Sequence, residues 1–356
     1  MNEKLYIKAS SCISPQHSYD AGMFLAPAMS SDNGRLYVVE QDYRKYISPV
    51  AIRRMSRLLK MSITAGMQCL ADAGVLPDAI ITGTGRGSVS DMEHFLRDMI
   101  EFKEEALNPT YFIQSTYNSV NGWLALQTKC TCYNQTFVHR GLSFELALLD
   151  AQLTLNEANS VQNILVGGFD EMTDYYHFVK NKIGYWKEEE LNSLDLFQHG
   201  NTAGTIGGEG ASFFVLSNES ANAAAAICAI QTLTKPTVEE LQSAIIGLLE
   251  NNRMGMGDID LLLSGMNGNV LLKPFDDMVD GMLNPSTTIV AYKHLCGDFD
   301  TAIGFGLWLG NYILSGQNLP EIAVVKQGAY KRIGKILLIN HTFSGDASLI
   351  LLESCK

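Results

Sequence analysis

Short apolar runs alternate with segments of helical periodicity along the whole chain, and this alternation limits the possible fold more than any other feature. Residues 4–9 predict a strand, and a helical pattern from Ser48 to Ala73 closes at Gly74. Further helices are predicted at 89–103, from about Ser119 to Leu126, from about Gly141 to Glu157, and at 237–251. Apolar runs such as "NILVGG" and "DIDLLLSG" predict strands buried on both faces. The pattern therefore predicts an α/β fold with a parallel-type sheet.

The second half of the chain repeats the style of the first. The alanine-rich stretch "NESANAAAAICAI", which begins at Asn218, is a plausible boundary between the two. Two halves of similar style indicate an internal duplication. We therefore predict an N-terminal half at 1–218 and a C-terminal half at 219–356.

Composition and charge exclude several classes of protein. The 356 residues are 46% hydrophobic and 18% charged, which is ordinary for a globular protein. The net charge of −12 disfavours nucleic acid as a partner. No apolar run reaches the roughly 18 residues of a membrane span, and "MNEKLYIKASSC" resembles a strand rather than a signal peptide. We expect a cytoplasmic protein without a membrane or nucleic-acid partner.

The cysteines and glycines do not predict a cofactor or metal site. The seven cysteines are dispersed, and "KCTC" has C-x-C spacing with no second pair nearby. The glycine-rich turn in "AIITGTGRG" follows a predicted strand, yet neither dinucleotide-binding nor P-loop spacing follows it. We expect no metal and no cofactor.

One basic segment stands out against the acidic whole. "YRKYISPVAIRRMSRLLK" contains six Lys and Arg residues, and Arg53, Arg54 and Arg57 lie together within it. The segment is either a solvated helix face or a docking patch for an acidic partner.

The stretch "TFVHRGLSFELALLDA", residues 136–151, predicts a strand that turns sharply into a helix. Many α/β enzymes present a nucleophile at such a turn. Here the turn contains Val138, His139 and Arg140 instead of serine or cysteine.

The order and content of several motifs resemble the β-ketoacyl-acyl-carrier-protein synthases, a family with the thiolase-like fold. The matching segments are "RRMSRLLKMSITAGMQCLADAG", "NILVGGFDE", "GGEGASFFVLS" and "INHTFSGDASLILLE". Together they span nearly the whole chain. The resemblance implies two duplicated βαβ-type halves in a layered α-β-α-β-α architecture.

The same resemblance implies where catalytic residues belong. The family has a cysteine nucleophile at the elbow, two histidines beside it and a lysine near the second histidine. Aligning Thr136 and Gly141 puts Val138 at the cysteine position, and a shift by one residue puts His139 there.

Two further motifs extend this pattern. Asn267 takes the position of the first histidine in "GMNGN", and Asp298 takes that of the second in "KHLCGD". Lys293 is retained. The chain thus lacks the Cys-His-His set, and no catalytic residue is predicted.

The first hypothesis is a non-catalytic partner subunit. Valine cannot form a thioester, and an Asp–Asn pair does not reproduce two neutral imidazoles that donate to an oxyanion. The resemblance then implies a chain-length-factor-type protein, which pairs with an active ketosynthase in fatty-acid, polyketide or aryl-polyene-type biosynthesis. Its implied partners are an acyl-carrier protein, with Arg53, Arg54 and Arg57 as docking candidates, and a ketosynthase subunit in a heterodimer, or a second copy in a homodimer.

Two alternatives stay open. One is an enzyme with altered acyl-thioester chemistry, and the other is an acyl-binding homodimer. The candidate pocket residues are His139, Arg140, Ser143, Glu145 and Phe343. Structural roles compete with chemical ones: an Arg140–Glu145 ion pair, a capping Ser143, and a local His294–Asp298 pair. Cys296 is a further thiol, but it lies in the later motif and not at the elbow.

Overall fold

A computed structural model describes residues 4–157, 161–329 and 332–355. Its strands are β1 (Leu5–Ile13), β2 (Arg35–Leu36), β3 (Ala79–Gly83), β4 (Asn134–Phe137), β5 (Ile164–Asp170), β6 (Gly207–Gly208), β7 (Gly210–Ser217), β8 (Ala225–Leu233), β9 (Leu261–Ser264), β10 (Thr288–Ala291), β11 (Val324–Lys326), β12 (Lys335–His341) and β13 (Ala347–Ser354). Its helices are α1 (Pro49–Ile52), α2 (Arg57–Ala73), α3 (Val89–Glu101), α4 (Pro109–Ser115), α5 (Ser119–Thr128), α6 (Ser143–Glu157), α7 (Asp174–Lys182), α8 (Val238–Asn251), α9 (Lys273–Met282), α10 (Lys293–Cys296) and α11 (Ile303–Leu314).

The two halves of the main sheet have the same arrangement of strands. In the described residues its order is β11-β10-β9-β12-β13-β8-β1-β7-β5-β3-β4. Strands β4, β3 and β5 are parallel neighbours, as are β10, β9 and β12, and the strands between these two groups pair antiparallel. Apart from the short edge strand β11, the two halves of the sheet therefore have the same strand arrangement: β4, β3, β5, β7 and β1 correspond to β10, β9, β12, β13 and β8.

Helices and sheet form alternating layers. One apolar cluster packs α2 and α5 against the N-terminal strands, and another packs α8 and α9 against the C-terminal strands. The largest cluster lies between them, where α6 and α11 fill the centre of the molecule. The mixed α/β architecture and its layers confirm the predicted thiolase-like fold class. The boundary predicted at 218/219 falls between β7 and β8 and stays a prediction.

The structure divides one predicted helix. The pattern from Ser48 to Ala73 predicts a continuous helix, but α1 ends at Ile52 and α2 begins at Arg57. The Ser48 hydroxyl accepts from the Ala51 amide at the start of α1, and Pro49 occupies its first turn. Gly74 ends α2 with φ of 66°, as the sequence predicts.

A close approach fixes the central helix on the sheet. A Cβ on Gly83, at the end of β3, would lie 2.3 Å from the backbone carbonyl of Ser143 at the start of α6. Only glycine lets strand and helix come this near. The start of α6 is therefore held directly over the carboxyl ends of the parallel strands.

No helix among the described residues is both long and apolar enough to cross a membrane.

Candidate functional site

The elbow joins β4 to α6. After β4 ends at Phe137, Val138 and His139 form the bend, and a 3-10 turn covers Arg140–Leu142. Val138, His139 and Arg140 are exposed, and Arg140 has φ of 50°, a left-handed conformation that a residue with a side chain rarely adopts. The bend thus presents three side chains outward. The left-handed backbone of Arg140 costs free energy.

Val138, His139 and Arg140 line a cavity of about 760 Å³. One wall comes from α3, through Val89, Met92 and Leu96, and another from α7, through Tyr175, Tyr176 and Val179. Arg86 and Lys235 add positive charge to that of Arg140. The cavity is therefore an apolar groove whose lining contains three cations and the two acidic residues Glu93 and Asp346.

Buried carboxyls lie beneath these cations. Arg86 Nε lies 3.6 Å from Asp300 Oδ2 and donates to the Tyr176 hydroxyl at 3.3 Å. Asp170, at the end of β5, accepts from Thr84, Gly85 and Thr301 at 2.8–3.0 Å. Burial raises the pKa of Asp170, and the neighbouring Asp300 raises it further. Asp170 and Asp300 thus lie close together, and Arg86 is near enough to Asp300 to form an ion pair.

A buried lysine lies close to this cluster inside an aromatic cage. Lys180 Nζ lies 3.5 Å from the centre of the Tyr185 ring and 5.3 Å from that of Tyr176. Phe343 stacks on Tyr185 with ring centres 3.7 Å apart, so it closes the cage. Burial lowers the pKa of Lys180 to about 8. The ring faces supply the electrostatic contact that a buried ammonium requires.

The three positions that align with the family's later motifs form one buried network. Lys293 Nζ lies 3.0 Å from Asp298 Oδ1 and donates to the His341 carbonyl at 2.8 Å. Asn267 Nδ2 donates to Asp298 Oδ2 at 2.9 Å, and Asn267 Oδ1 accepts from the Asn269 amide. Each charged or amide group in this network has at least one partner, and the network contains none of the neutral imidazoles that could donate to a developing oxyanion.

Glycine backbone brings this network together. Gly297, between Cys296 and Asp298, has φ of 75°, and a Cβ on Gly208 would lie 1.9 Å from the Cys296 carbonyl. The Asp298 amide donates to the Ile206 carbonyl at 2.9 Å. The glycines of both motifs therefore keep the close packing on which the position of Asp298 depends.

Of the five predicted pocket residues, His139 and Arg140 line the cavity. Phe343 belongs to the Lys180 cage, and Ser143 and Glu145 are buried elsewhere. The Ser143 hydroxyl accepts from the His139 amide and donates to the Arg140 carbonyl, both at 2.7 Å, so it caps the turn and is fully buried. Glu145 lies in the central layer, where its Oε1 accepts from Ser348 at 2.6 Å. The proposed Arg140–Glu145 ion pair is absent between these two described residues, since one is exposed and the other buried.

The predicted local pair of His294 with Asp298 is also corrected. His294 Nε2 lies 3.0 Å from the Ile322 carbonyl and does not pair with Asp298, which bonds to Lys293. Cys296 is fully buried with its Sγ 3.2 Å from the Gly297 carbonyl, and burial raises its pKa well above the ordinary value. This thiol has neither the exposure nor the acidity of a nucleophile.

The basic segment divides into paired and unpaired cations. Arg57 forms an ion pair with the fully buried Glu209, whose pKa burial raises to about 7. Arg53 and Arg54 are exposed and form no ion pair with any residue that the structure describes. All three line a groove of about 1,000 Å³ beside α3. Arg57 thus has a structural partner, whereas Arg53 and Arg54 have charges available to a ligand or partner.

Sequence reasoning did not single out Arg86, Asp170 or Lys180. Arg86 follows β3, Asp170 ends β5, and the elbow follows β4. Because carboxyl ends of parallel strands meet at one edge of a sheet, this placement was the signal that could have found Arg86 and Asp170. Lys180 gives no such signal, since its cage comes from distant segments.

No group of three or more His, Cys, Asp or Glu residues within the described ranges is arranged to hold a metal ion.

The alternating layers of helices and sheet, with an elbow at the start of a central helix, are those of the thiolase-like fold. Residues 31–186 match the family model described as "Beta-ketoacyl synthase, N-terminal domain". This match to the N-terminal part of the chain supports the resemblance to the β-ketoacyl synthases that the motifs indicate.

Solved structures share this fold at low sequence identity. "The ishigamide ketosynthase/chain length factor" has a TM-score of 0.79 at 16% identity, with all of both chains covered. A β-ketoacyl synthase from Burkholderia phymatum STM815 has a TM-score of 0.79 at 14% identity, with 99% of this chain and 100% of the other covered. A type II polyketide synthase acyl-carrier protein in complex with its ketosynthase bound to the hexaketide, AntDE:AntF, has a TM-score of 0.73 at 12% identity, with 99% of each covered. No curated protein matches the chain.

Proposed function

We propose that this chain is a non-catalytic, chain-length-factor-type partner of an active ketosynthase in fatty-acid, polyketide or aryl-polyene-type biosynthesis. The observation that carries the proposal is the closed network of Lys293, Asp298 and Asn267. Neither elbow register supplies a thiol, because Val138 and His139 occupy both. The chain therefore lacks the thiol that would accept an acyl group and the two imidazoles that would stabilise the oxyanion.

The altered-enzyme alternative has less support from the geometry. His139 and Ser143 interact through a backbone amide, and the Ser143 hydroxyl is already used by the Arg140 carbonyl. The serine is fully buried and is not among the residues lining the elbow cavity. A Ser–His acyl-transfer pair would need both side chains to face a substrate.

Unpaired edges support association with a partner. Among the strands of the described residues β4 is the last beyond β3, so one side of its backbone has no strand partner there and could pair with a strand of another chain. Large apolar side chains are exposed nearby on α3 and α7, among them Leu96 (51%), Ile100 (82%) and Phe178 (52%). A homologous subunit placed here would cover these side chains and enclose the elbow cavity.

Relatives of the same fold give the proposal its biochemical setting. One structure is named as a ketosynthase/chain length factor, and another as a carrier protein with its ketosynthase. The exposed and unpaired Arg53 and Arg54 fit an acidic carrier protein by charge, and they lie at a groove that also contains Asp91, Glu171 and Asp174. We propose that they dock it, with Arg57 holding the segment in place through Glu209.

Co-purification with a ketosynthase and a carrier protein encoded beside this chain tests the proposal. We expect a stable heterodimer that condenses malonyl units on the carrier protein, whereas this chain alone gives neither condensation nor an acyl adduct by intact-protein mass spectrometry. Leu96→Glu with Ile100→Glu should prevent the heterodimer, and exposed Leu76→Glu is the matched control.

Two results would overturn it. If the isolated chain turns over an acyl thioester and His139→Ala removes that activity, the altered enzyme is correct. If the chain forms only a homodimer that retains a free acyl ligand and does not associate with the ketosynthase, the acyl-binding homodimer is correct.

A further inference from the structure

A smaller cavity lies against the C-terminal strands and shares no lining residue with the elbow cavity. Its volume is about 400 Å³, and it opens between α9 and the edge strand β11. Six apolar side chains form its walls: Leu262, Met266, Val279, Ile289, Val325 and Ile339. Val325 is 45% exposed at the mouth, whereas Leu262 and Ile339 are buried. The cavity has room and apolar surface for a small organic molecule.

A polar side chain at this cavity has no partner. His341 ends β12, is only 4% exposed and lines the cavity. Its Nε2 forms no hydrogen bond within the described chain. Burial lowers the pKa of His341 to about 4, so the imidazole is neutral near pH 7. A buried ring nitrogen without a partner is costly, and a ligand that bonds to it removes this cost.

The charges at the cavity are unbalanced. Helix α9 contributes Asp276, Asp277 and Asp280 to the lining. Lys326 is the one lysine or arginine among the described lining residues, and it pairs with Asp280 at 2.7 Å. Asp276 and Asp277 form no ion pair with a described residue. The cavity therefore has excess negative charge beside an unused imidazole.

We propose that this cavity binds a small organic cation, a primary or secondary ammonium group with an apolar body. The ammonium donates to the Asp276 carboxylate and to His341, and the body packs against Ile289 and Ile339. An ammonium is the group that satisfies both partners, because it carries donors and the missing positive charge. A carboxylate or phosphate ligand would instead meet three aspartates.

Charge within the sheet supports this choice. Burial raises the pKa of Asp276 to about 7, with the Lys293 ammonium opposing the increase, so the carboxyl is mostly ionised at pH 8. Lys293 already pairs with Asp298 and forms no ion pair with Asp276. The site does not depend on the proposed partner function, and the two can fail separately.

Benzylamine is a suitable probe for the full chain. With methyl-labelled protein at pH 8, we expect saturable shifts of the Ile289 and Ile339 methyl signals in the NMR spectrum. Benzyl alcohol and phenylacetate, which keep the ring and lack the cation, should bind at least tenfold more weakly. Asp276→Asn should weaken benzylamine binding at least fivefold, and Glu190→Gln, at an exposed position, should leave it unchanged.

A blocking variant locates the site. Val325→Trp adds bulk at the exposed mouth without entering the core, and it should abolish the methyl shifts. His341→Leu should weaken binding of the amine, because it removes the ring nitrogen to which the ammonium donates. The proposal is overturned if benzylamine gives no saturable shifts, if phenylacetate binds as tightly, or if Val325→Trp still binds the amine.

Discussion

Asp298 is held by two partners that differ in charge, the Lys293 ammonium and the Asn267 amide. At 3% exposure the carboxylate has almost no water to stabilise it, and the 1% exposed lysine has the same need. Each charge therefore depends on the other. A histidine at this position would leave the lysine without its counter-charge, so the substitution and the ion pair belong together.

This dependence predicts a non-additive mutant cycle. Lys293→Met and Asp298→Asn should each lower the free energy of unfolding by about 3 kcal/mol, because each leaves a buried charge unpaired. The double variant should cost less than the sum by at least about 1 kcal/mol. Urea unfolding of all four proteins measures this. Additive costs would mean that the two side chains are stabilised independently.

Glu145 carries a second prediction at this scale, through its protonation. Burial raises its pKa from 4.5 to about 7, and its Oε2 has no partner among the described residues. Below pH 4.5 the carboxyl is protonated in both the folded and the unfolded chain. Between pH 4.5 and about 7 only the folded chain keeps the proton, so stability falls as pH rises through this window.

The variant Glu145→Gln removes this titration. The natural protein should lose stability between pH 5 and pH 8, whereas the variant should not. The difference in unfolding free energy between them should therefore change by up to about 3 kcal/mol, at roughly 1.4 kcal/mol per pKa unit. Urea unfolding at the two pH values provides the measurement. Glu219→Gln, at an exposed position, is the control and should show no such change. An equal pH dependence in Glu145→Gln and the natural protein would contradict the prediction.

At the scale of elements, the contact between β3 and α6 decides where the elbow lies. A Cβ on Gly83 would lie 2.3 Å from the Ser143 carbonyl, and neither backbone segment has space to move. Gly83→Ala should therefore cost about 3 kcal/mol in unfolding free energy through overpacking. Gly247 in α8 has nothing within 4 Å of an added Cβ.

Gly247→Ala is the matched control. It should stabilise the protein by up to about 1 kcal/mol, because alanine has the higher helix propensity. Thermal and urea unfolding of both variants check the pair. Equal effects of the two substitutions would mean that the β3–α6 contact does not constrain the fold.

The elements also show what could be predicted from the sequence. Buried strands, amphipathic helices and the glycine at the end of α2 depend on neighbours along the chain, so their patterns predicted them. The pattern does not predict the break between α1 and α2, because the apolar spacing continues across it. Ser56, the residue before α2, has an extended backbone with φ of −62° and ψ of 165°, and this conformation interrupts the helix.

The candidate site was less predictable, for a physical reason. Local pairings such as Arg140 with Glu145 assumed that near neighbours find each other. In the folded chain Glu145 bonds instead to Ser348, 203 positions away. Lys180 likewise has a cage completed by Phe343. Buried polar groups take whichever partner the fold brings within reach, and sequence spacing does not show this.

For the whole molecule, two faces with different surfaces suggest two kinds of contact. One side of α3 lines the apolar elbow cavity through Met92 and Leu96, and the other lines the groove with Arg53 and Arg54. The chain has a net charge of −12, so these arginines form a local exception in a repulsive field. An acidic carrier protein would therefore be steered to this groove rather than to the rest of the surface.

The last prediction follows from this charge pattern. Arg53→Glu with Arg54→Glu should weaken carrier-protein binding at least tenfold in low salt and flatten its dependence on ionic strength, because both cations are exposed and have no ion-pair partner in the described chain. Arg253→Glu with Lys273→Glu makes the same charge change at exposed positions of the C-terminal part and should have little effect. Titrations of the heterodimer with labelled carrier protein at two salt concentrations measure both pairs. Equal losses would indicate a response to net charge alone, and an unchanged affinity of the Arg53/Arg54 variant would identify the segment as a solvated helix face.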